Sequence, residues 1–163
     1  MYSQIQHLHS LEYRRENKAN ASRLLEKELG IDILPCGFFI NAVVPYLDAT
    51  PDGLVDDDTI VEVKCPKSAK DSSPAEAIQQ LPAIRRIFRG DEINKSHHYY
   101  YQVQGQLHIM NSQSALFCLW TQKRMKIINV PRDDTFWATE MEDILKKFYE
   151  DCMLPEIIDS RFN

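Results

Sequence analysis

Apolar residues recur with helical spacing near both ends of the chain. Over residues 12–29 the apolar stripe is broken, and Gly30 stands where a left-handed cap commonly ends a helix. A longer and more regular stripe follows Asp133 or Asp134, either of which can cap a helix, and we expect this helix to end before Pro155. The pattern therefore predicts one helix in the N-terminal part and one in the C-terminal part.

A third helix is predicted in the middle of the chain, over residues 96–110. Within it Tyr99, Gln102 and Gln106 share one face, because residues three and seven positions apart lie on the same side of a helix. The preceding stretch, residues 67–95, contains a helix-start signal followed by a breaker. We interpret that stretch as a helix and a mobile loop.

β-branched and aromatic residues predict strands elsewhere in the chain. Residues 36–49 indicate one or two strands, with Pro45 at a bend or an edge. Two turn signals predict a tight hairpin within residues 50–65, and residues 114–131 indicate two antiparallel strands. The order of helix, three or four strands, helix, two strands and helix predicts an α/β or α+β sandwich on one mixed sheet. We expect residues 1–163 to form a single domain.

Composition restricts the class of protein. The N-terminal stretch lacks the apolar core of a signal peptide, and no later stretch approaches about 18 apolar residues. We therefore expect a soluble, intracellular protein without a membrane span. The four cysteines lie far apart, and we expect buried free thiols in a reducing compartment. A net charge of −5 argues mildly against a nucleic-acid partner, but the basic residues are clustered, which keeps a polyanionic partner open.

The segment TIVEVKC carries charges among apolar residues. Alternate residues of a strand share a face, so Glu62 and Lys64 lie on one face with Ile60, while Val61 and Val63 point to the other. Glu62 and Lys64 are then neighbours about 7 Å apart along the strand. One interpretation of this pair is an ordinary ion pair on the wet face of a half-buried strand.

A second interpretation is chemical. Asp52 lies in the turn before the preceding strand, and a short hairpin would bring it opposite Glu62. Two carboxylates suit Mg²⁺, with Mn²⁺ as a substitute, and the backbone carbonyl of Val63 is placed to act as a further ligand. Lys64 would orient or deprotonate a water molecule and offset the negative charge that develops on phosphorus. This arrangement is typical of phosphodiester cleavage. The acidic turn at residues 56–58 lacks the ligand spacing of an EF-hand.

Three motifs in order resemble those of the PD-(D/E)xK nucleases, and within them the phage lambda exonuclease or YqaJ viral-recombinase group. A stretch ahead of the motifs, CGFF at residues 36–39, is similar to the strand that approaches the site in that group. The motifs are TPDG at residues 50–53, IVEVKCP at residues 60–66 and YYYQVQ at residues 99–104. The similarity runs from about Glu16 to the C-terminal helix, which is nearly the whole chain.

The resemblance implies a restriction-endonuclease-like core, with a central mixed sheet flanked by helices, and Mg²⁺-dependent DNA hydrolysis. The best-known members are ring-shaped trimers that digest double-stranded DNA from its ends, processively and 5′→3′. The resemblance also implies a role in recombination or viral genome processing and a single-strand-annealing partner protein. It implies a nuclear location if the protein comes from a eukaryote or its virus. By position, Asp52, Glu62 and the Val63 carbonyl would be metal ligands and Lys64 the catalytic lysine. Gln102 would support the lysine or the nucleophile, with Tyr99 beside it.

The chain departs from the pattern of this group in its first helix. The family carries a further carboxylate about twelve residues before the glycine that ends this helix, and that position is Lys18 here. Glu16 is the nearest acid, either as a catalytic residue or as a surface glutamate. Only 51 residues precede Asp52, fewer than in the larger exonucleases, which leaves end specificity open.

Several alternatives remain at this stage. Arg85, Arg86 and Arg89 are candidates for a DNA-backbone grip, although an exposed helix end has the same appearance. The same core also serves structure-specific or single-strand endonucleases. A catalytically inactive DNA-binding remnant of the fold is the alternative from another class.

Overall fold

The structure is a computed structural model that describes residues 2–159, with side chains described for residues 12, 13 and 15–159. The helices and strands follow in chain order. They are α1 (Tyr2–Leu29), β1 (Phe39–Ile40), β2 (Asp48–Ala49), β3 (Gly53–Leu54), β4 (Thr59–Lys64), a 3₁₀ turn (Lys67–Ala69), α2 (Pro74–Gln80), α3 (Pro82–Arg85), β5 (Phe88–Arg89), β6 (Glu92–Ile93), α4 (His98–Met110), β7 (Ser114–Trp120), β8 (Met125–Pro131), α5 (Asp134–Glu140), α6 (Glu142–Phe148), a π-helical turn (Tyr149–Met153) and α7 (Leu154–Ile158).

The central sheet has four strands in the order β3-β4-β7-β8. The β3–β4 and β7–β8 pairs are antiparallel, while β4 and β7 run parallel with Glu62 opposite Phe117. Parallel strands need a crossover connection, and the chain between β4 and β7 supplies one that contains α4. The predicted mixed sheet flanked by helices is therefore confirmed.

One face of β4 packs against the first helix. Val61, Val63 and Cys65 are buried there together with Ala21 and Leu25 of α1. Both α1 residues are fully buried and lie four positions apart, so they meet the sheet from the same side of the helix. This contact brings the middle of α1 across the end of the sheet near Asp52.

The other face of β4 packs against α4. Ile60 is fully buried in a core cluster with Val103 and Leu107 of that helix. Glu62 lies on the same face of the strand and is only 2% exposed. Both faces of β4 are covered, so the interpretation of Glu62 and Lys64 as an ion pair on a wet face is wrong.

Gly53 sits where the backbone of the hairpin approaches a neighbouring segment. A Cβ at this position would overlap the Cγ2 of Ile33 and lie 3.3 Å from the carbonyl oxygen of Leu34. We expect Gly53→Ala to lower the free energy of unfolding by about 1–3 kcal/mol, because the Ile33 side chain or the backbone around it must shift to relieve the overlap. Urea denaturation measures the loss. Gly37→Ala is the control, since nothing lies within 4 Å of its Cβ position, and an equal loss in both variants would contradict the expectation.

The interpretation of residues 67–95 as a helix and a mobile loop is wrong in its second half. The helix is α2, capped by Ser73 and Glu76 in a reciprocal capping box. After it the chain forms α3 and the hairpin β5–β6, in which Gly90 adopts a φ of +65° that suits glycine. Phe88 and Ile93 are buried in the main core, and this burial anchors a segment whose local signals indicate only turns.

The C-terminal helix is less regular than predicted. It is divided at Met141, widens into the π-helical turn and continues as α7, so it does not end before Pro155. Pro155 lies in the first turn of α7, directly after the π-helical turn, and the helix continues through it although proline has no N–H to donate. The predicted apolar stripe is also only partly buried, because Ile144 is 65% and Phe148 is 54% exposed.

The first helix is longer than the apolar pattern predicts. It extends from Tyr2 to Leu29, and Gly30 adopts a φ of +65° at its end, as expected. Residues 2–11 contain no glycine or proline to stop a helix, so the helix continues beyond its apolar stripe. Within residues 2–159 we find no helix that is both long and apolar enough to cross a membrane.

The four cysteines are free thiols, as predicted, but not all are buried. Cys65 and Cys118 are buried, whereas Cys36 is partly accessible and Cys152 is exposed. Burial raises the pKa of the Cys118 thiol to about 12, with smaller contributions from Cys65 and Glu28. Cys118 therefore stays protonated and acts as an apolar core residue.

Candidate active site

Asp52 is held against β4 by its backbone and by its side chain. Its N–H donates to the carbonyl oxygen of Val61 at 2.9 Å, and its Oδ2 accepts from the N–H of Val63 at 2.8 Å. Gly53 pairs with Val61, so the next position of the register sets Asp52 opposite Glu62. The short hairpin thus sets Asp52 opposite Glu62, as the sequence predicts.

Glu62 is a buried carboxylate with three hydrogen-bond donors around it. Its Oε1 accepts from Lys64 Nζ at 2.5 Å and from Gln102 Nε2 at 3.0 Å. Its Oε2 accepts from Gln106 Nε2 at 2.9 Å. An ionised carboxylate is stable in a protein interior only with such partners, so α4 supplies two amides to stabilise a charge on β4.

Lys64 lies at the C-terminal end of β4, with 16% of its side chain exposed. Besides Glu62 its ammonium group donates to Gln102 Oε1 at 2.8 Å and lies 4.3 Å from the centre of the Tyr99 ring. Gln102 therefore bridges the glutamate and the lysine, donating to the first and accepting from the second. The amide fixes the ammonium group in a single position.

Gln106 completes the site, although sequence reasoning gave it no role. It lies one helical turn after Gln102 and reaches the second oxygen of Glu62. Its spacing in the sequence places it on the same helix face as Tyr99 and Gln102, and this is the signal that could have identified it as a site residue. Gln106 Oε1 is buried without a hydrogen-bond partner among the described residues, so it presents an unused acceptor beside the carboxylate.

Gln104, the second glutamine of the YYYQVQ motif, points away from the site. It is fully buried, its Nε2 donates to the carbonyl oxygen of Pro131 and its Oε1 accepts from the N–H of Asp133, both at 2.9 Å. Gln104 thereby ties α4 to the segment between β8 and α5. Its place in the motif reflects packing of the helix.

Gln104→Leu should destabilise the protein. The apolar side chain leaves a carbonyl at Pro131 and an N–H at Asp133 without partners, which costs about 1–3 kcal/mol. Urea denaturation measures the loss, and Gln80→Leu, an exposed position, is expected to change stability by less than about 0.5 kcal/mol. A Gln104→Leu protein as stable as wild type would show that the clamp contributes nothing.

Lys18 is the residue of α1 that reaches the site. Its ammonium group forms an ion pair with Asp52 Oδ1. Burial lowers the pKa of Lys18, but the hydrogen bond to Asp52 and the charges of Asp52 and Glu62 outweigh that effect and raise it overall. Glu16 is exposed and lies two positions earlier, about 200° around the helix, so it projects away from Asp52. Geometry therefore favours Lys18 over Glu16 as the α1 residue beside the site.

The donors near Asp52 suit a hard divalent cation. Asp52 and Glu62 offer carboxylate oxygens, and the Val63 carbonyl points to the same side of β4 as the Val63 N–H that binds Asp52. Oxygen ligands of this kind fit Mg²⁺ or Mn²⁺, which keep several waters in their shell. Among the described residues no group of three or more Asp, Glu, His or Cys side chains gathers around a common point. The fit thus rests on two carboxylates and a backbone carbonyl.

The start of α4 lies next to Lys64. His97 caps this helix by accepting from the Tyr99 N–H at 3.2 Å, and its ring lies 4.2 Å from that of His98. Burial lowers the pKa of His97, and its electrostatic interactions with His98 and Lys64 lower it further. A neutral imidazole can accept this hydrogen bond, so His97 acts as a helix cap.

The three arginines proposed as a DNA grip have different surroundings. Arg85 donates to two carbonyl oxygens at the end of α2, those of Ile78 and Gln79, and so it caps that helix. Arg86 and Arg89 are exposed at the end of α3 and in β5. The latter two guanidinium groups are accessible to a phosphate backbone, whereas Arg85 is engaged within the protein.

Comparison with known sequences assigns this chain to a family. A model described as the YqaJ-like viral recombinase domain matches residues 12–113. An alkaline nuclease of Autographa californica nuclear polyhedrosis virus is 27% identical over 127 residues, which cover 67% of this chain and 30% of the relative. The alkaline nuclease of Orgyia pseudotsugata multicapsid polyhedrosis virus is 28% identical over 127 residues, covering 66% and 30%. The match thus spans about 30% of the length of these relatives.

Solved structures share the fold. An alkaline exonuclease from Laribacter hongkongensis superimposes with a TM-score of 0.68 at 19% identity, covering 94% of this chain and 76% of that one. A phage-related exonuclease from Haemophilus somnus 129PT gives a TM-score of 0.61 at 13% identity, covering 89% and 72%. At these identities the similarity concerns the fold.

Proposed function

Because the chain belongs to the YqaJ-like viral recombinase family, we propose that it is a Mg²⁺-dependent deoxyribonuclease that acts on the ends of duplex DNA. The observation that carries the proposal is the cluster of Glu62, Lys64 and Gln102, with Asp52 held against β4 beside it. A fold alone has no need of an ammonium group and two carboxylates at a partly open strand end, because apolar residues would pack there at lower cost.

A divalent ion held by Asp52, Glu62 and the Val63 carbonyl would supply Lewis-acid stabilisation of the charge that develops on the phosphate. In the hydrolysis, a water oxygen forms a bond to phosphorus and the bond to the leaving sugar oxygen breaks. The water loses a proton and the leaving oxygen gains one. The chain's own residues then have to orient the water and carry charge near the phosphate.

Lys64 is suited to that task. Two of its three N–H donors go to Glu62 and Gln102, and these bonds hold the ammonium group, with one donor that neither residue uses, 4.3 Å from the centre of the Tyr99 ring. A donor fixed in this way binds a phosphate oxygen or the attacking water without reorganisation during the reaction. Gln102 acts through Lys64 and is a positioning residue.

A cavity next to Lys64 offers room for the substrate. It has a volume of about 430 Å³, and its lining includes the side chains of Lys18, Lys64, His98 and Tyr99. Lys18 and Lys64 are paired with Asp52 and Glu62, so a bound divalent ion would make this cluster positive and attract a phosphate, although the whole chain carries a net charge of −5. The Tyr99 ring forms one wall and is available for stacking against a base or sugar.

The direct test compares linear duplex DNA with covalently closed circular DNA, each incubated with the protein and either Mg²⁺ or EDTA. We expect mononucleotide release from the linear DNA in Mg²⁺ and none in EDTA, with the closed circle intact. Cutting of the closed circle would replace the exonuclease by an endonuclease. Binding of DNA without cleavage, in Mg²⁺ as well as in EDTA, would indicate an inactive DNA-binding module in place of a nuclease.

A further inference from the structure

Lys18 places a positive charge where the site would otherwise offer ligand oxygens. Its ammonium group contacts Oδ1 of Asp52, the oxygen that the Val63 N–H leaves available. The Asp52 side chain is only 12% exposed, whereas that of Lys18 is 46% exposed, so Lys18 covers Asp52 from the solvent side. A divalent ion such as Mg²⁺ needs its ligand oxygen at about 2.0–2.1 Å, and it has no room there while an ammonium group holds the same side.

The charges of the site also favour fewer divalent ions. Two carboxylates, Asp52 and Glu62, face two ammonium groups, Lys18 and Lys64, so the four side chains sum to zero. One divalent ion already makes the cluster positive, and a second would add to an uncompensated charge. Oδ2 of Asp52 accepts from the Val63 N–H and keeps a second lone pair on the side away from Lys18, which remains the place for one ion.

We propose that Lys18 is a tethered cation that occupies one side of Asp52 and limits the site to a single divalent ion. The inference rests on the metal-dependent function proposed above and assigns a role to a residue of this chain. Lys18 then does two things at once. It neutralises Asp52 when no metal is bound, and it stands beside the substrate cavity as a second positive charge for the phosphate.

Mn²⁺ binding tests the proposal without reference to activity. Free Mn²⁺ is measured by electron paramagnetic resonance during titration of wild type, Lys18→Glu and Lys18→Met. We expect one ion per chain for wild type and two for Lys18→Glu, which turns the four-residue charge from zero to −2. Lys18→Met should bind one ion about ten-fold or more tightly than wild type, because the competing ammonium group is gone.

Lys27→Glu is the matched control, since it makes the same charge change at an exposed position on the same helix. It should bind one ion with an affinity within about two-fold of wild type. Thermal melting in EDTA monitors folding of each variant. Two ions on wild type, one ion on a folded Lys18→Glu protein, or equal affinity of Lys18→Met and wild type would each overturn the proposal.

The same samples separate this inference from the nuclease itself. If wild type binds one Mn²⁺ ion and Lys18→Glu binds two, but wild type does not cleave DNA, the role of Lys18 stands and the proposed function is contradicted. If wild type cleaves DNA but binds two ions, the proposed function stands and the role of Lys18 is contradicted. Absence of Mn²⁺ binding in all variants would contradict the metal site and with it the role of Lys18.

Discussion

Lys64→Met is expected to lower the rate of DNA cleavage about 10²–10³-fold, the usual cost of losing one fixed donor at the reacting group. The methionine is unbranched and only one atom shorter than lysine, but it cannot hold a phosphate oxygen or a water. Single-turnover digestion of linear duplex DNA in Mg²⁺ measures the effect. Lys67→Met removes the same charge three residues away at an exposed position and should cleave at close to the wild-type rate.

Stability has to be separated from chemistry in this variant. Without the Lys64 ammonium group the buried Glu62 keeps only its two glutamine donors, which costs about 1–3 kcal/mol. The double variant Lys64→Met/Glu62→Gln removes both charges and should regain most of that stability, since replacing both partners is nearly neutral. Its activity should stay lost. Cleavage near the wild-type rate in a folded Lys64→Met protein would remove Lys64 from the reaction.

Glu62→Gln should abolish stabilisation by divalent ions. A ligand at 100 times its dissociation constant adds about 2.7 kcal/mol to the native state, which raises the melting temperature of a chain of this size by roughly 5–10 °C. We expect this rise for wild type with Mn²⁺ and none for Glu62→Gln, because an amide oxygen is a weaker ligand than a carboxylate.

The acidic turn at residues 56–58 provides the control for that measurement. Asp57→Asn removes one exposed carboxylate from this turn and should show the wild-type rise in melting temperature. If Asp57→Asn lost the rise and Glu62→Gln kept it, the divalent ion would bind to the turn. That result would contradict the placement of the metal between Asp52 and Glu62.

The centre of the site was predictable because it depends on local rules. The two-residue period of a strand puts Glu62 and Lys64 on one face, and a hairpin of this length returns Asp52 to Glu62. The helical period places Gln102 on one face of α4 together with Tyr99 and Gln106. The two strand relations need no knowledge of distant contacts, whereas the contact of Gln102 with Glu62 joins segments 40 residues apart and was indicated only by the family motif.

The remaining features depend on packing between distant segments. The choice of Lys18 over Glu16 follows from how α1 rotates when Ala21 and Leu25 pack on the sheet, and no local pattern encodes that rotation. The hairpin β5–β6 is held by burial of Phe88 and Ile93 in a core formed by other elements. The trimer and the single-strand-annealing partner stay predictions from the resemblance.

The most direct test of the account compares wild type with Asp52→Asn on linear duplex DNA at saturating Mg²⁺, measured as the initial rate of nucleotide release. Asparagine retains an acceptor for the Val63 N–H but loses the carboxylate charge. We expect release by wild type that stops in EDTA, and a rate at least about 10²-fold lower for Asp52→Asn. Equal rates for the two proteins, or release that persists in EDTA, would contradict a metal-dependent site at Asp52 and Glu62.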